Sequence, residues 1–116
     1  MSDSPPDAVR SVEHLIELMA ELRETLRRTE ASLRQALEMI EGGSDIATAV
    51  LATKPTATRN DINGALKDVE RARHDMRIQI FASALDRGIS IAELGRLFGF
   101  SRQLAARYAK EARADA

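Results

Sequence analysis

Arg102, Gln103, Arg107 and Lys110 are the side chains whose types and spacing best suit a definable chemistry. On a helix they share one face with the small Ala106, because residues three and four apart fall on the same side. That face would present two guanidinium forks, a carboxamide and an ammonium group. A guanidinium fork matches the O6 and N7 acceptors of guanine, a carboxamide matches N6 and N7 of adenine, and an ammonium group suits a phosphate. Ser101, directly ahead of this face, together with the free amides of a helix N-terminus suits a phosphate as well. Arg96, upstream of it, suits a contact to the nucleic-acid backbone.

Other chemistries find no comparable set. The only histidines are His14 and His74, cysteine is absent, and no His-x-x-x-His or Glu-x-x-His pair offers metal-ligand spacing. Both histidines read as solvated surface residues, His74 lying among Arg71, Arg73, Asp75 and Arg77. Those three arginines read as solubilising charges that pair with Glu70 or Asp75. Glu13, Glu17, Glu21, Glu24 and Glu38 fit a charged helix surface better than a pair of catalytic carboxylates. Gly42-Gly43 reads as a helix stop, not as a loop that cradles phosphate. The expectation is a protein that is not an enzyme and needs no cofactor or metal.

The elements that must position the basic face are two short helices in Ser90 to Arg113. Ser90 with Glu93 forms a Ser-x-x-Glu capping box, so a helix starts there. Ile91, Leu94, Leu97 and Phe98 then fall on one face. Gly99 closes that helix in the left-handed conformation. Ser101 caps the next, in which Leu104, Ala105 and Tyr108 point away from the basic face. Gly95 sits where a second helix has to approach closely.

Leu94, Gly95, Phe98, Gly99, Phe100, Ser101, Ala105 and Tyr108 together resemble the tri-helical helix-turn-helix domains of bacterial repressors, site-specific recombinases and the promoter-reading domain of sigma factors. The resemblance covers roughly residues 76–113, about a third of the chain. Gly95 stands where most members carry alanine, and Ala105 where they carry a β-branched residue; both keep the contact small and apolar. The resemblance implies that Arg77 to Leu85 is the first helix of the unit. It also implies that helix 102–112 enters the major groove of double-stranded DNA.

Upstream, the pattern changes period. Residues 1–6 read as a disordered tail, and a helix is expected from Pro6 or Asp7 to Glu41. Such a helix is a rod of ~52 Å at 1.5 Å per residue. Val12, Leu15, Met19, Leu22, Leu26, Thr29, Leu33, Ala36 and Ile40 follow the 3-4 spacing of a coiled-coil seam. The expectation is a dimerisation element in which Val12, Leu15, Met19, Leu22, Leu26, Leu33 and Ile40 meet a second copy, with a higher oligomer also compatible. Residues 44–58 read as a short helix with Ile46, Val50 and Leu51 as its apolar face, followed by a linker from Thr53 to Thr58 that Pro55 interrupts. A second long helix is expected from about Asn60 to Arg87, with Ile62, Leu66, Val69, Met76, Ile80 and Phe81 inward. Residues 60–116 then form the DNA-binding domain.

Composition fits this division. Residues 1–53 hold five arginines against ten carboxylates, and residues 54–116 twelve Lys and Arg against eight carboxylates. A basic half beside an acidic half is the distribution of a nucleic-acid binder with a separate oligomerisation element. With aromatics at 3% of the chain, the core is expected to be built from Leu, Ile, Val, Ala and Met. No signal peptide and no membrane span of ~20 apolar residues is legible, so a cytoplasmic, nucleoid-associated protein of bacterial or phage type is expected. The expected fold is all-α: a long coiled-coil-like helix, a short helix, and a second long helix ending in a C-terminal helix-turn-helix. Its expected role is that of a dimeric transcriptional regulator. Two alternatives keep the same fold: a helical scaffold protein (an antitoxin-like or adaptor subunit) with a protein partner, and a non-specific nucleoid-type DNA binder.

Overall fold

A computed structural model describes residues 7–114 and places them in five helices: α1 Asp7–Glu41, α2 Ile46–Leu51, α3 Pro55–Asp86, α4 Ile91–Phe98 and α5 Arg102–Ala114. No strand occurs among the described residues. The all-α expectation therefore holds, and the first helix has the expected bounds. The tail expected over residues 1–6 lies outside the described residues.

Three of the helices end by the same device. Two backbone amides beyond the last turn bond back to two of its carbonyls, satisfying acceptors that the helix itself leaves open. At α1 these are Gly43 N to Ile40 O and Ser44 N to Met39 O; at α3, Gly88 N to Leu85 O and Ile89 N to Ala84 O; at α4, Gly99 N to Arg96 O and Phe100 N to Gly95 O. α2 is capped by Asp45, which accepts hydrogen bonds from the Thr48 amide at 2.7 Å and hydroxyl at 3.1 Å. These bonds hold the Asp45 carboxyl below its ordinary pKa.

The linker expected between Thr53 and Thr58 is shorter than its proline suggested. Lys54 turns the chain with φ 54°, and α3 begins at Pro55 itself. A proline in the first helical turn gives up an N–H that has no partner there, so it starts this helix rather than blocking one.

The chain divides into two compact units. In the first, Ile16–Glu70, the line of α1 that packs within the chain runs through Leu18, Leu22, Thr25, Thr29, Ser32, Ala36 and Met39, all buried or half-buried. Leu18, Glu21, Thr25 and Arg28 share a cleft with Asn60, Asp61, Gly64, Ala65 and Asp68 of α3. Residues of the expected dimerisation seam differ in exposure within the chain. Leu22 and Ile40 are half-buried, but Met19, Leu26 and Leu33 stay 52%, 47% and 58% exposed. Two heptad lines lie side by side on α1; the one with the small Thr25 and Ala36 is buried within the chain, and Thr25 lines the cleft shared with α3. α2 shows the same preference: Ala49 is fully buried, while Ile46, Val50 and Leu51, expected as its inner face, are exposed. Leu66 of α3, also expected inward, is 46% exposed.

The second unit joins residues 7–15 with residues 71–114. Val12 is half-buried and Leu15 buried within it. Its core gathers Ile78 and Phe81 from α3, Leu94 from α4, and Ala105, Tyr108, Ala109 and Ala112 from α5. Ile78, which the periodicity of α3 did not single out, is 3% exposed. All four aromatic residues of the chain meet here, contrary to the aliphatic core that composition suggested. Phe81 has no exposed surface, and its ring lies 5.4 Å from Phe98, 6.2 Å from Phe100 and 5.4 Å from Tyr108. Few aromatics suffice when they are concentrated, since each buries far more area than an alanine.

Gly99 turns from α4 with φ 71°, and a Cβ there would meet nothing within 4 Å. Its requirement is therefore conformational and not steric. Gly99→Val is expected to lower the unfolding free energy by roughly 1–2 kcal/mol in urea denaturation, and Gly99→Asn by less, because asparagine tolerates the left-handed region. Equal stability of the valine variant and the native chain would refute this account.

Candidate nucleic-acid interface

α4 and α5 meet at their smallest residues. A Cβ built on Gly95 would lie 3.2 Å from the Cβ of Ala105 and 3.5 Å from the Phe100 carbonyl. Glycine here lets the two helices cross closer than two ordinary side chains allow. Ser90 Oγ accepts from the Glu93 amide at 3.1 Å, and Ser101 Oγ from the Leu104 amide at 3.1 Å, so both expected caps are in place. The Ser101 hydroxyl proton remains available to donate outward.

The two sides of α5 differ completely. Ala105, Tyr108, Ala109 and Ala112 are buried, while Arg102, Gln103, Ala106, Arg107 and Lys110 are all exposed. At 1.5 Å per residue the helix is ~20 Å long, and its outer face carries cations throughout. Among the described residues, no ion pair holds Arg96, Arg102, Arg107 or Lys110. Arg27 and Arg34 on α1, by contrast, each bond a glutamate, Glu24 at 2.7 Å and Glu30 at 3.3 Å. The Glu24–Arg27 contact lowers the glutamate pKa and raises that of the arginine. Each of the expected recognition residues is thus brought to one open face, with Arg96 exposed on α4. Leu97 departs from the inward face assigned to it and is 73% exposed on that helix.

Two residues read as surface charges, His74 and Arg77, turn out to hold α5 in place. The Tyr108 hydroxyl lies 3.2 Å from His74 Nδ1 and accepts from Arg77 at 3.4 Å. His74 Nε2 stands 2.9 Å from Glu111. With the imidazole proton on Nε2, His74 donates to Glu111, Tyr108 donates to Nδ1, and Arg77 donates to Tyr108, so every group has a partner. The Arg77 guanidinium also lies 5.2 Å from the Phe100 ring centroid, within cation–π range. The hydrogen bonds join residues more than 30 apart in sequence, so no local spacing announced them.

Among the described residues no group of histidine and carboxylate side chains is placed to hold a metal, and no helix is long and apolar enough to cross a membrane. No family model matches the chain, and neither a curated protein nor a solved structure matches it.

Tyr108→Phe keeps the ring in the aromatic cluster and removes the hydroxyl that His74 and Arg77 share. The variant is expected to lose about 0.5–1.5 kcal/mol of stability, the usual net worth of such a bond, with its helix content unchanged. Urea denaturation with circular dichroism measures both quantities. A variant as stable as the native chain would mean that solvent replaces this network without cost.

Proposed function

We propose that this chain is a sequence-selective DNA-binding protein that acts as a homodimer in transcriptional control and reads the major groove with the outer face of α5. The observation that carries this reading is the exposed, unpaired set Arg102, Gln103, Arg107 and Lys110, opposite a face that is buried in the core. Its donors match base edges and phosphates, and their cations have no protein partner to leave. The close crossing of α4 over α5 at Gly95 supports it, because a helix entering a groove must be held from behind by another. In this reading α4 crosses the phosphate backbone, Arg96 and Ser101 contact phosphates, and Arg102 and Gln103 reach deepest because they open the recognition helix. Duplication in a dimer supplies the rest. One module reads few base pairs, whereas two modules on a shared frame bind two half-sites with a high effective concentration.

A second reading has its own observation. The apolar side chains left open on α1 and α2 fit a scaffold protein of the antitoxin or adaptor kind, whose partner is another protein. The two readings differ in salt-dependent binding to duplex DNA, which a pure scaffold lacks. A non-specific nucleoid-type binder differs from both in keeping its affinity on scrambled sequence.

Selection of DNA sites from a random pool, followed by fluorescence anisotropy across salt concentrations, tests the proposal. Arg102→Ala or Gln103→Ala is expected to cost ~1–3 kcal/mol on the selected site and to relax selectivity at one base pair of each half-site. Lys110→Ala is expected to weaken all duplexes alike and to reduce the salt slope by about one unit. If both kinds of variant bind the selected site like the native chain, α5 is not the reader and the scaffold reading takes precedence.

A further inference from the structure

The unit Ile16–Glu70 lacks a core of its own size. Its buried side chains are Thr25, Ala36 and Ala49, whereas Ile16, Met19, Leu26, Leu33 and Leu37 of α1 lie 47–61% exposed. A unit that buries threonine and alanine and leaves its large aliphatic side chains in water has its hydrophobic contact still to make. The five aliphatic residues fall on one line of α1, Ile16-Met19-Arg23-Leu26-Glu30-Leu33-Leu37, with 3-4 spacing throughout. Leu22 and Val69 continue the face toward α3.

We infer that this line is a two-fold interface in which α1 pairs antiparallel with α1 of a second copy, closing two helix pairs into a four-helix bundle. The inference takes from the proposed function only that two copies act together. The order of residues along the line selects the occupant and its direction. Reversing the helix about Leu26 sets Met19 opposite the second copy's Leu33, seven residues to either side, and brings Ile16 within one residue of the level of its Leu37. The same reversal brings Arg23 of each copy to within one residue, ~1.5 Å along the axis, of the level of Glu30 of the other, in reach of their long side chains.

Arg23 is exposed and makes no ion pair among the described residues; Glu30 is exposed and bonded to Arg34 through one oxygen. A parallel pair in register would instead stack Arg23 on Arg23 and Glu30 on Glu30, like charges inside an apolar seam. A foreign helix has no reason to meet a line that is complementary to its own reverse. The strip is about 33 Å long and, with α3 beside α1, about 20 Å wide, a footprint on the order of the ~800 Å² per partner of stable complexes.

The native chain has no cysteine, which makes the geometry directly testable. In light scattering without DNA, at tens of micromolar, the protein is expected at twice the 12.8 kDa of one chain. Under mild oxidation Leu26→Cys is expected to link to itself, Met19→Cys alone not to link, and a mixture of Met19→Cys with Leu33→Cys to link to each other. Arg23→Glu is expected to weaken the dimer about tenfold or more, and Arg23→Glu with Glu30→Arg to restore it. A folded monomer at these concentrations overturns the inference, as does self-linking of Met19→Cys, which marks a parallel pair. Because none of these measurements contains DNA, a dimer that ignores every duplex sinks the DNA-binding proposal alone.

Discussion

The approach of α4 to α5 at Gly95 is the constraint on which the C-terminal arrangement turns. With 3.2 Å between the position of a Cβ on Gly95 and the Cβ of Ala105, the crossing leaves almost no room for a larger pair. That closeness lets Leu94 and Ala105 reach Phe81 in one core, and it decides which side of α5 is buried. Once Ala105, Tyr108, Ala109 and Ala112 are inside, helical geometry puts Arg102, Gln103, Arg107 and Lys110 outside. The open basic face is thus a consequence of how two small residues meet, and not an independent feature of the surface.

The two units use apolar residues in opposite ways. From Arg71 onward the chain surrounds Phe81 with three further aromatic rings and several alanines, and the large side chains are mostly inside. Between Ile16 and Glu70 the helices pack through threonine and alanine, and the large side chains are mostly outside. Dense burial stabilises one unit internally. The other gains little from its own contacts, because hydrophobic stabilisation scales with the apolar area removed from water. Charge differs too: Arg27 and Arg34 on α1 pair with glutamates one turn away, whereas among the described residues no ion pair holds Arg102, Arg107 or Lys110 of α5.

The contacts behind α5 tie it to α3 and to the aromatic core. Tyr108 is bonded through its hydroxyl to α3 while its ring packs on Phe81 and Phe100. Arg77 serves two partners at once, the hydroxyl and the Phe100 ring. Such contacts add about a kcal/mol each, and they oppose rotation of α5 about its own axis.

Local chemistry was legible from the residues alone. Capping serines and the closing Gly99 marked both short helices, the glycine pair ended α1, and the polar face of α5 followed from i, i+4 spacing; all of these depend on neighbours within one turn. What depended on a second element was not legible. Periodicity showed that α1 has an apolar stripe, but two adjacent lines fit that stripe, and only packing within the folded chain decided that Thr25 and Ala36 are buried and Met19, Leu26 and Leu33 stay exposed. Leu97 and Ile46 looked inward by spacing for the same reason and are exposed. His74 and Arg77 looked like solvated charges because their partners, Tyr108, Glu111 and Phe100, lie far along the chain. A sequence specifies the conformations its near neighbours favour, while the choice between two chemically acceptable faces is made by the shape of whatever packs against them, and that is a property of the tertiary structure.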